Sequence, residues 1–529
     1  MTKYILTVID TISIQSYIFR SNRLRENIGA SYLIDQATKK WVCQQLSNLK
    51  YRIHIPNFKD GNLEAFKPRI HADKERIDAE LIYAGGGNTV LLFKTIDASI
   101  SLVNALSRKF LEDAPGINII AAHREFEWGN NAFLRTLNRL ISQDLLDKKN
   151  QRNFSSPLLG LSVTVSCNST QLVAIGNASD FNSPVDDDQD SYPVSREVSK
   201  KLLAVQGANH ALKEIFSELP KKLEFPYRFD HLGRTVGESS YIAVIHADGN
   251  NIGDRFQKYC QAQTSDENSI KAIRRLSQSI NKAGLKALLE VLREVKRLIV
   301  EEKFYLGENH KYFPFRPLVY GGDDVTFVCD GRLGLVLAAK YLQAFEAQKV
   351  VDQDVNGSLT ACAGIAIVKT HYPFARAYAL SEELCAKAKS FAKRSGNKTF
   401  SALDWHIAHT GLMGSVDDIR VREYQNGRLT MRPIRLNPAI NEWQTWPGFC
   451  HVVNEFSTSL DWKGRRNKIM ALRDVLRRED NSTHQFLQTY RLNSLPEFPE
   501  AEAELAKTGW LNGRCGYFDV IEVLDYFPD

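Results

Sequence analysis

Apolar positions gather into two stretches that repeat one order of elements. Near the start, Lys3 to Ile9 alternates little and reads as a strand that closes at Asp10. A segment with helical spacing follows, SYIFRSNRLRENIGASYLIDQATKKWV. Then comes LIYAGGGNTVLLF, two short apolar runs around Gly85, Gly86, Gly87 and Asn88, the pattern of a hairpin. A helix near Ser99 to Glu112 and the strand INIIAAHREF complete a β-α-β-β-α-β order.

The same order returns in the second half. Tyr241 to Ala247 (YIAVIHA) is a strand ending at Asp248, and three- and four-residue apolar spacing predicts a helix over roughly Ile270 to Glu302. LVYGGDDVTFVCD then predicts strand, glycine turn and strand, followed by a helix from about Leu333 to Gln348, the strand LTACAGIAIV and the helix PFARAYALSEELCAKAKSFAKR. Asp10 precedes Gly87 by 77 residues and Asp248 precedes Asp323 by 75, so both pairs join the end of a first strand to a hairpin turn. Two related domains in tandem account for this. Between them, Gly176 to Ser195 is polar and carries Asp186, Asp187, Asp188 and Asp190; without the glycine of a known Ca²⁺ loop it reads as a solvated linker. After Trp405 the periodicity is mainly helical, with a basic stretch from Lys463 to Arg478 and an acid-rich end from Glu497.

Composition narrows the field. A chain of 529 residues exceeds one compact core, and 43% hydrophobic with 25% charged residues is ordinary globular usage. A formal charge of +6 does not by itself announce a nucleic-acid binder. No run of eighteen apolar residues and no signal-peptide pattern occurs, so a soluble, cytoplasmic protein with no membrane partner is expected. Eight dispersed cysteines without a CxxC pair predict buried free thiols and argue against a zinc site. None of the twelve histidines precedes an aspartate, which removes the His-Asp signature of one class of metal phosphohydrolases.

The chemistry concentrates in the second repeat. The β-α-β-β order makes the first strand and the hairpin neighbours, which brings Asp248 toward Asp323 and Asp324. Crowded carboxylates repel and hold their protons unless a cation neutralises them. Mg²⁺ or Mn²⁺ prefers such oxygens, and two ions there clamp the attacking hydroxyl and leaving pyrophosphate of a nucleotidyl transfer. Gly321 and Gly322 free the turn and leave room for a triphosphate. Asp248, Gly249, Asn250, Asn251 and Gly253 open a helix whose amides can hold phosphates, and Lys393 and Lys398 flank a loop able to meet them. Each piece has a bland counterpart: GGDD as an ordinary hairpin turn, a strand-end Asp as a helix cap, a helical Lys as a solvated one. Their combination in this order favours the site.

Those residues resemble the large, polymerase-like subunit of type III CRISPR effector complexes and, more distantly, the GGDEF nucleotide cyclases. Asp248-Gly-Asn-Asn-Ile-Gly253 is similar to the subunit's DGDNxG element, Gly321-Gly-Asp-Asp324 to its GGDD hairpin, Cys362 to Ile367 to the strand after it, Ala392 to Lys398 to the AKxxG(R/K)N loop, and Leu403 to His406 to the closing segment of the second palm domain. FRSNRLRENIGASYLI and YAGGGN resemble the first, non-catalytic palm, with Gly87 and Asn88 where the hairpin carboxylates would stand. The resemblance implies an α+β fold of two tandem ferredoxin-like palm/cyclase domains with a helical C-terminal domain. The expected boundaries are 1–175 for the first palm, 176–235 for linker and helical segment, 236–406 for the catalytic palm and 407–529 for the helical domain.

The implied activity is synthesis of a cyclic di- or oligonucleotide from nucleoside triphosphates, ATP foremost, as a second messenger in antiviral defence. The resemblance implies Asp248, Asp323 and Asp324 as catalytic, Asp248, Gly249, Asp323 and Asp324 as metal-binding, and Gly249, Asn250, Asn251, Gly253, Gly321, Gly322, Lys393 and Lys398 as nucleotide-binding. Three departures from the family accompany it. The sequence begins at the first palm without the His-Asp nuclease domain, and so reads as a minimal member. The cysteine pairs of the zinc insertion are missing, leaving Cys167 in a similar place. Asn250 stands where a second Asp is usual.

Two further readings stay open at this stage. The same fold can hold ATP or a cyclic nucleotide without turnover, Asn250 weakening the metal site, or can serve as the structural large subunit of an RNA-guided complex. The basic stretch Lys463 to Arg478 offers RNA or a protein partner a contact, against the commoner reading of a solvated helical face. Homo-oligomerisation is compatible with everything above.

Overall fold

A computed structural model describes residues 2–49, 51–56, 66–71, 76–129, 131–151, 162–181, 191–220, 222–232, 240–306, 311–393, 399–409, 414–478 and 482–528. The acidic run Asp186, Asp187, Asp188 and Asp190, and Lys398, lie outside the described residues. The chain forms two compact units that interleave along the sequence. The first comprises Met1–Leu219, Asn251–Leu285 and Lys349–Ser358; the second comprises Pro220–Asn250, Lys286–Gln348 and Leu359–Asp529.

The sheet of the first unit contains β1 (Lys3–Ile12), β2 (Ile53–His54), β3 (Ala79–Gly85), β4 (Asn88–Phe93) and β5 (Asn118–Glu127), in the order β2-β3-β4-β1-β5. Without the short edge strand β2, this is the antiparallel ferredoxin-like order expected from the β-α-β-β-α-β pattern. β1 runs past Asp10 to Ile12 because Thr11 and Ile12 continue the ladder opposite Ile119 and Asn118 of β5. The helical stretch after β1 is broken at Arg20 to Arg23 and carries a π-helical turn at Gln36–Lys40, details that apolar spacing does not reveal. A short ladder of β6 (Gly176–Asn177) with β7 (Pro193–Val194) follows.

The core of this unit contains a fully buried ion pair. Arg274 donates from Nη2 to Glu80 Oε1 at 2.9 Å and to the Leu81 carbonyl, while Glu80 also accepts from the backbone amides of Arg69 and Ile70. Arg274 belongs to the helix Asp266–Val300, which starts four residues before the expected Ile270. Asp266 accepts from the amides of Gly129 and Phe133, which fixes that start.

In the second unit, β8 (Tyr241–Gly249), β9 (Phe315–Val319), β10 (Val325–Asp330), β11 (Ala361–Lys369), β12 (Ala402–Ala408) and β13 (Ile434–Arg435) form one sheet in the order β13-β12-β11-β8-β10-β9. The first four strands repeat the ferredoxin-like order, and β12 extends it by pairing parallel to β11. β8, β10 and β11 are apolar and buried through their middles, as strands covered on both faces must be. The fold is therefore α+β, with two palm-type sheets and a mainly helical C-terminal segment.

The helix Phe374–Lys393 packs tightly on β11, and Gly364 makes this possible. A Cβ at Gly364 would lie 2.0 Å from the Ser381 carbonyl oxygen and 2.3 Å from the Cys385 amide. Cys385, Ala388 and Ala392 on that helix close over Cys362 and Ala402. All eight cysteines are free thiols, six of them buried and Cys43 and Cys450 partly so.

Candidate functional site

β8 is buried to Ala247 and emerges at Asp248. β10 pairs with it so that Val325 stands opposite Ala247, and one step further along the hairpin Asp324 comes beside Asp248. The Gly249 amide donates to the Asp323 carbonyl at 3.2 Å, tying the turn to the end of β8. Gly321 and Gly322 take φ of 98° and 131°, the positive values the turn requires and side-chain-bearing residues resist. Asp248, Gly249, Asp323 and Asp324 are thus gathered at one sheet end by register alone.

The electrostatics follow from that crowding. Burial, then the Asp248 carboxylate, raises the pKa of Asp323. Burial, with Asp248, Asp323 and Glu382 adding to it, pushes Asp324 up to about 7. Asp324 is partly exposed as a residue, yet its Oδ1 is shut off from solvent and has no hydrogen-bond donor. The nearest basic atom, His246 Nδ1, stands 3.5 Å from it. An orphaned carboxylate oxygen beside a second carboxylate fits a divalent cation, because Mg²⁺ is commonly held by one or two carboxylates plus phosphate oxygens. Among the described residues no three His, Cys, Asp or Glu side chains form a ready-made metal cage.

One residue the sequence reading missed dominates the geometry. Lys389, on the Phe374–Lys393 helix, donates from Nζ to Asp248 Oδ2 at 2.5 Å and to the Gly249 carbonyl at 3.2 Å. Burial works against its charge, but the hydrogen bond and charge of Asp248 outweigh it and raise the Lys389 pKa. Its placement has a structural cause. Cys362 pairs with Asp248 across the sheet, Cys385 and Ala388 cover Cys362, and Lys389 is the next residue along the helix. A small-residue stripe on a helix facing a glycine-bearing strand was the available signal, and a lysine flanking it reaches the neighbouring strand end.

A second group lies behind Asp324. His246 sits opposite Thr326, with Nδ1 and Oγ1 at 3.3 Å, and edge-on to Tyr378, whose hydroxyl donates to Glu382 at 3.0 Å. Burial pushes His246 down to about 4, so it is neutral at physiological pH.

The remaining expected residues are dispersed. Asn250 is buried, and its side chain donates to Thr360 Oγ1 at 3.0 Å and to the Phe400 carbonyl at 3.2 Å, so it brackets strand ends. Asn251, with φ of 54°, and Gly253 start the helix Ile252–Gln261 in the first unit. Lys393 is exposed at the end of its helix.

The matching strand end of the first unit is built differently. Asp10 pairs with Asn88 across the sheet, Gly87 and Asn88 bring no carboxylate, and Lys149 Nζ stands 2.5 Å from Asp10 Oδ2.

A ferredoxin-like sheet with carboxylates at the end of its first strand and in the next hairpin defines a palm domain. Residues 241–398 match the family described as Cas10/Cmr2, second palm domain. Among solved structures the chain is similar to Csm1 in T.onnurineus, at 14% identity and a TM-score of 0.52 over 99% of this chain and 70% of that one. It is similar to the Csm1-Csm4 cassette in complex with pppApApA, at 15% identity and 0.52 over 99% and 69%. It is likewise similar to that cassette with cA3, at 14% and 0.52 over 100% and 70%. At these identities the likeness is one of fold. No curated protein matches the sequence.

Proposed function

We propose that the carboxylate end of the second sheet binds nucleoside triphosphates, ATP foremost, with Mg²⁺ or Mn²⁺, and joins them into a cyclic di- or oligonucleotide. A ribose hydroxyl attacks an α-phosphate, a phosphodiester forms and pyrophosphate leaves. The observation that carries this reading is the solvent-shielded, donorless Asp324 Oδ1 beside Asp323 and Asp248. Asp323 and Asp324 would hold the cation, which would supply positive charge to the phosphates and the attacking oxygen. Asp248 is ion-paired with Lys389. Gly321 and Gly322 clear space for phosphate against the turn, and Lys393 offers a point charge to the triphosphate. The Cas10/Cmr2 match, together with the nucleotide and cA3 ligands of the similar Csm1-Csm4 cassettes, supports a role in CRISPR-like antiviral defence.

A second reading, a large subunit working beside a protein partner, is favoured by one observation: two of the similar structures are Csm1-Csm4 cassettes. Incubation with each NTP and Mg²⁺ or Mn²⁺, followed by mass spectrometry, tests the proposal. A cyclic product from ATP without RNA supports a stand-alone synthase, and product only with target RNA supports the subunit. ATP bound and recovered intact rejects turnover.

A further inference from the structure

We propose that the Lys389 ammonium replaces one of the two divalent cations a nucleotidyl-transfer site of this kind would use, so that the site takes a single ion at Asp323 and Asp324. This rests on the nucleotidyltransferase reading above and specifies its metal requirement.

The geometry is the first argument. Asp248 and Gly249 were the oxygen donors expected for a cation at the end of β8, and Nζ of Lys389 touches both, at 2.5 Å and 3.2 Å. The ammonium thus already contacts both oxygen groups that a second ion would need. The helix that Gly364 seats on β11 sets the lysine backbone beside the end of β8.

Charge is the second argument. With a divalent ion drawing the protons off Asp323 and Asp324, the three carboxylates are offset by the one ammonium and that one ion, before the charge of the nucleotide is counted. Asn250 adds none, because its amide is spent on Thr360 and Phe400, so the extra carboxylate that would favour a further ion is missing.

The first unit supplies an independent parallel. Its strand-end Asp10 is also neutralised by a lysine, Lys149, where the hairpin offers no carboxylate. The same device, a lysine ion-paired with the strand-end aspartate, thus occurs in both units. The second unit keeps the device and adds a pair of carboxylates.

The test counts ions. Mn²⁺ is titrated, with electron paramagnetic resonance detection of the free ion, into the full chain saturated with α,β-methylene ATP, whose bridging carbon blocks transfer. The expected count is one Mn²⁺ per nucleotide-loaded chain, the ion carried by the nucleotide included. In Lys389→Met the count rises to two, because Asp248 and Gly249 are released. In Lys389→Arg, which keeps the charge, it stays at one, and this variant decides if the Met variant fails to fold. Two ions in the wild type, or one in a folded Met variant, overturn the proposal. Two ions in the Arg variant overturn it as well. No nucleotide-dependent Mn²⁺ in the wild type overturns the nucleotidyltransferase reading and this proposal with it.

Discussion

Asp324 carries the largest consequence of any single side chain. Its folded pKa is raised from 3.8 to about 7, so the proton is bound more tightly in the folded, metal-free chain than in the unfolded one. That contribution to stability is fully present below 3.8 and is lost progressively as pH rises to about 7. Asp324→Asn keeps the neutral shape and escapes the loss. In chelator, its advantage over wild type in melting temperature should therefore be larger at pH 8 than at pH 5, while its rate of product formation falls on the order of 10²- to 10³-fold. Thermal melts at the two pH values check the sign, and an advantage no larger at pH 8 than at pH 5 contradicts it. Lys393 makes a different prediction. It is exposed, so Lys393→Ala should leave the melt unchanged while rate falls on the order of 10²-fold, the size of one lost transition-state contact. An unchanged rate means that Lys393 does not touch the phosphates.

At the level of elements, the helix Phe374–Lys393 and β11 act as one part, and Gly364 is where they meet. Gly364→Ala forces a Cβ into the Ser381 and Cys385 backbone, which cannot swing aside as a side chain would. The cost should be about 3 kcal/mol, the upper end for overpacking, with product formation lost as Lys389 is levered from Asp248. Urea melts and product assays read the two effects; a neutral variant contradicts the packing. In the first unit, Arg274→Ala strands Glu80 in the core and should cost about 3–5 kcal/mol.

These elements also show what was legible beforehand. β8, β10 and β11 stood out because strands buried on both faces are unbroken apolar runs, and GGDD marked its hairpin because only glycine suits the turn. The duplication was legible from the near-equal spacing of Asp10 to Gly87 and Asp248 to Asp323. Lys389 was not, since helical periodicity marks the buried face but cannot say which flanking lysine lies over a strand end. Lys393 drew notice through its motif; Lys389, one turn earlier, is the one that touches Asp248. The break at Arg20 to Arg23, the π-helical turn and the short β13 depend on tertiary pairing and left no periodic signal.

For the whole molecule, no described helix is long and apolar enough to cross a membrane. Much of the basic stretch from Lys463 to Arg478 is engaged within its own unit. Arg466 pairs with Asp525, Arg473 lies 3.6 Å from Glu522, and buried Lys468 rests 4.4 Å from the Trp462 ring centroid. Those cations are engaged in ion pairs and ring packing rather than standing as an unpaired basic face. Ligand binding should reach the global melt: ATP with Mn²⁺ at about a hundred times its Kd should stabilise the chain by about 2.7 kcal/mol, and Asp323→Ala/Asp324→Ala should erase the shift. An equal shift in that double variant places the nucleotide elsewhere. The most direct test of the central claim is the product analysis of this pair of proteins. Wild type and Asp323→Ala/Asp324→Ala are each incubated with ATP and Mn²⁺ and the products weighed by mass spectrometry. A cyclic oligonucleotide from the wild type and none from a variant that melts no lower is the predicted result. Product at the wild-type level from the double variant contradicts the assignment.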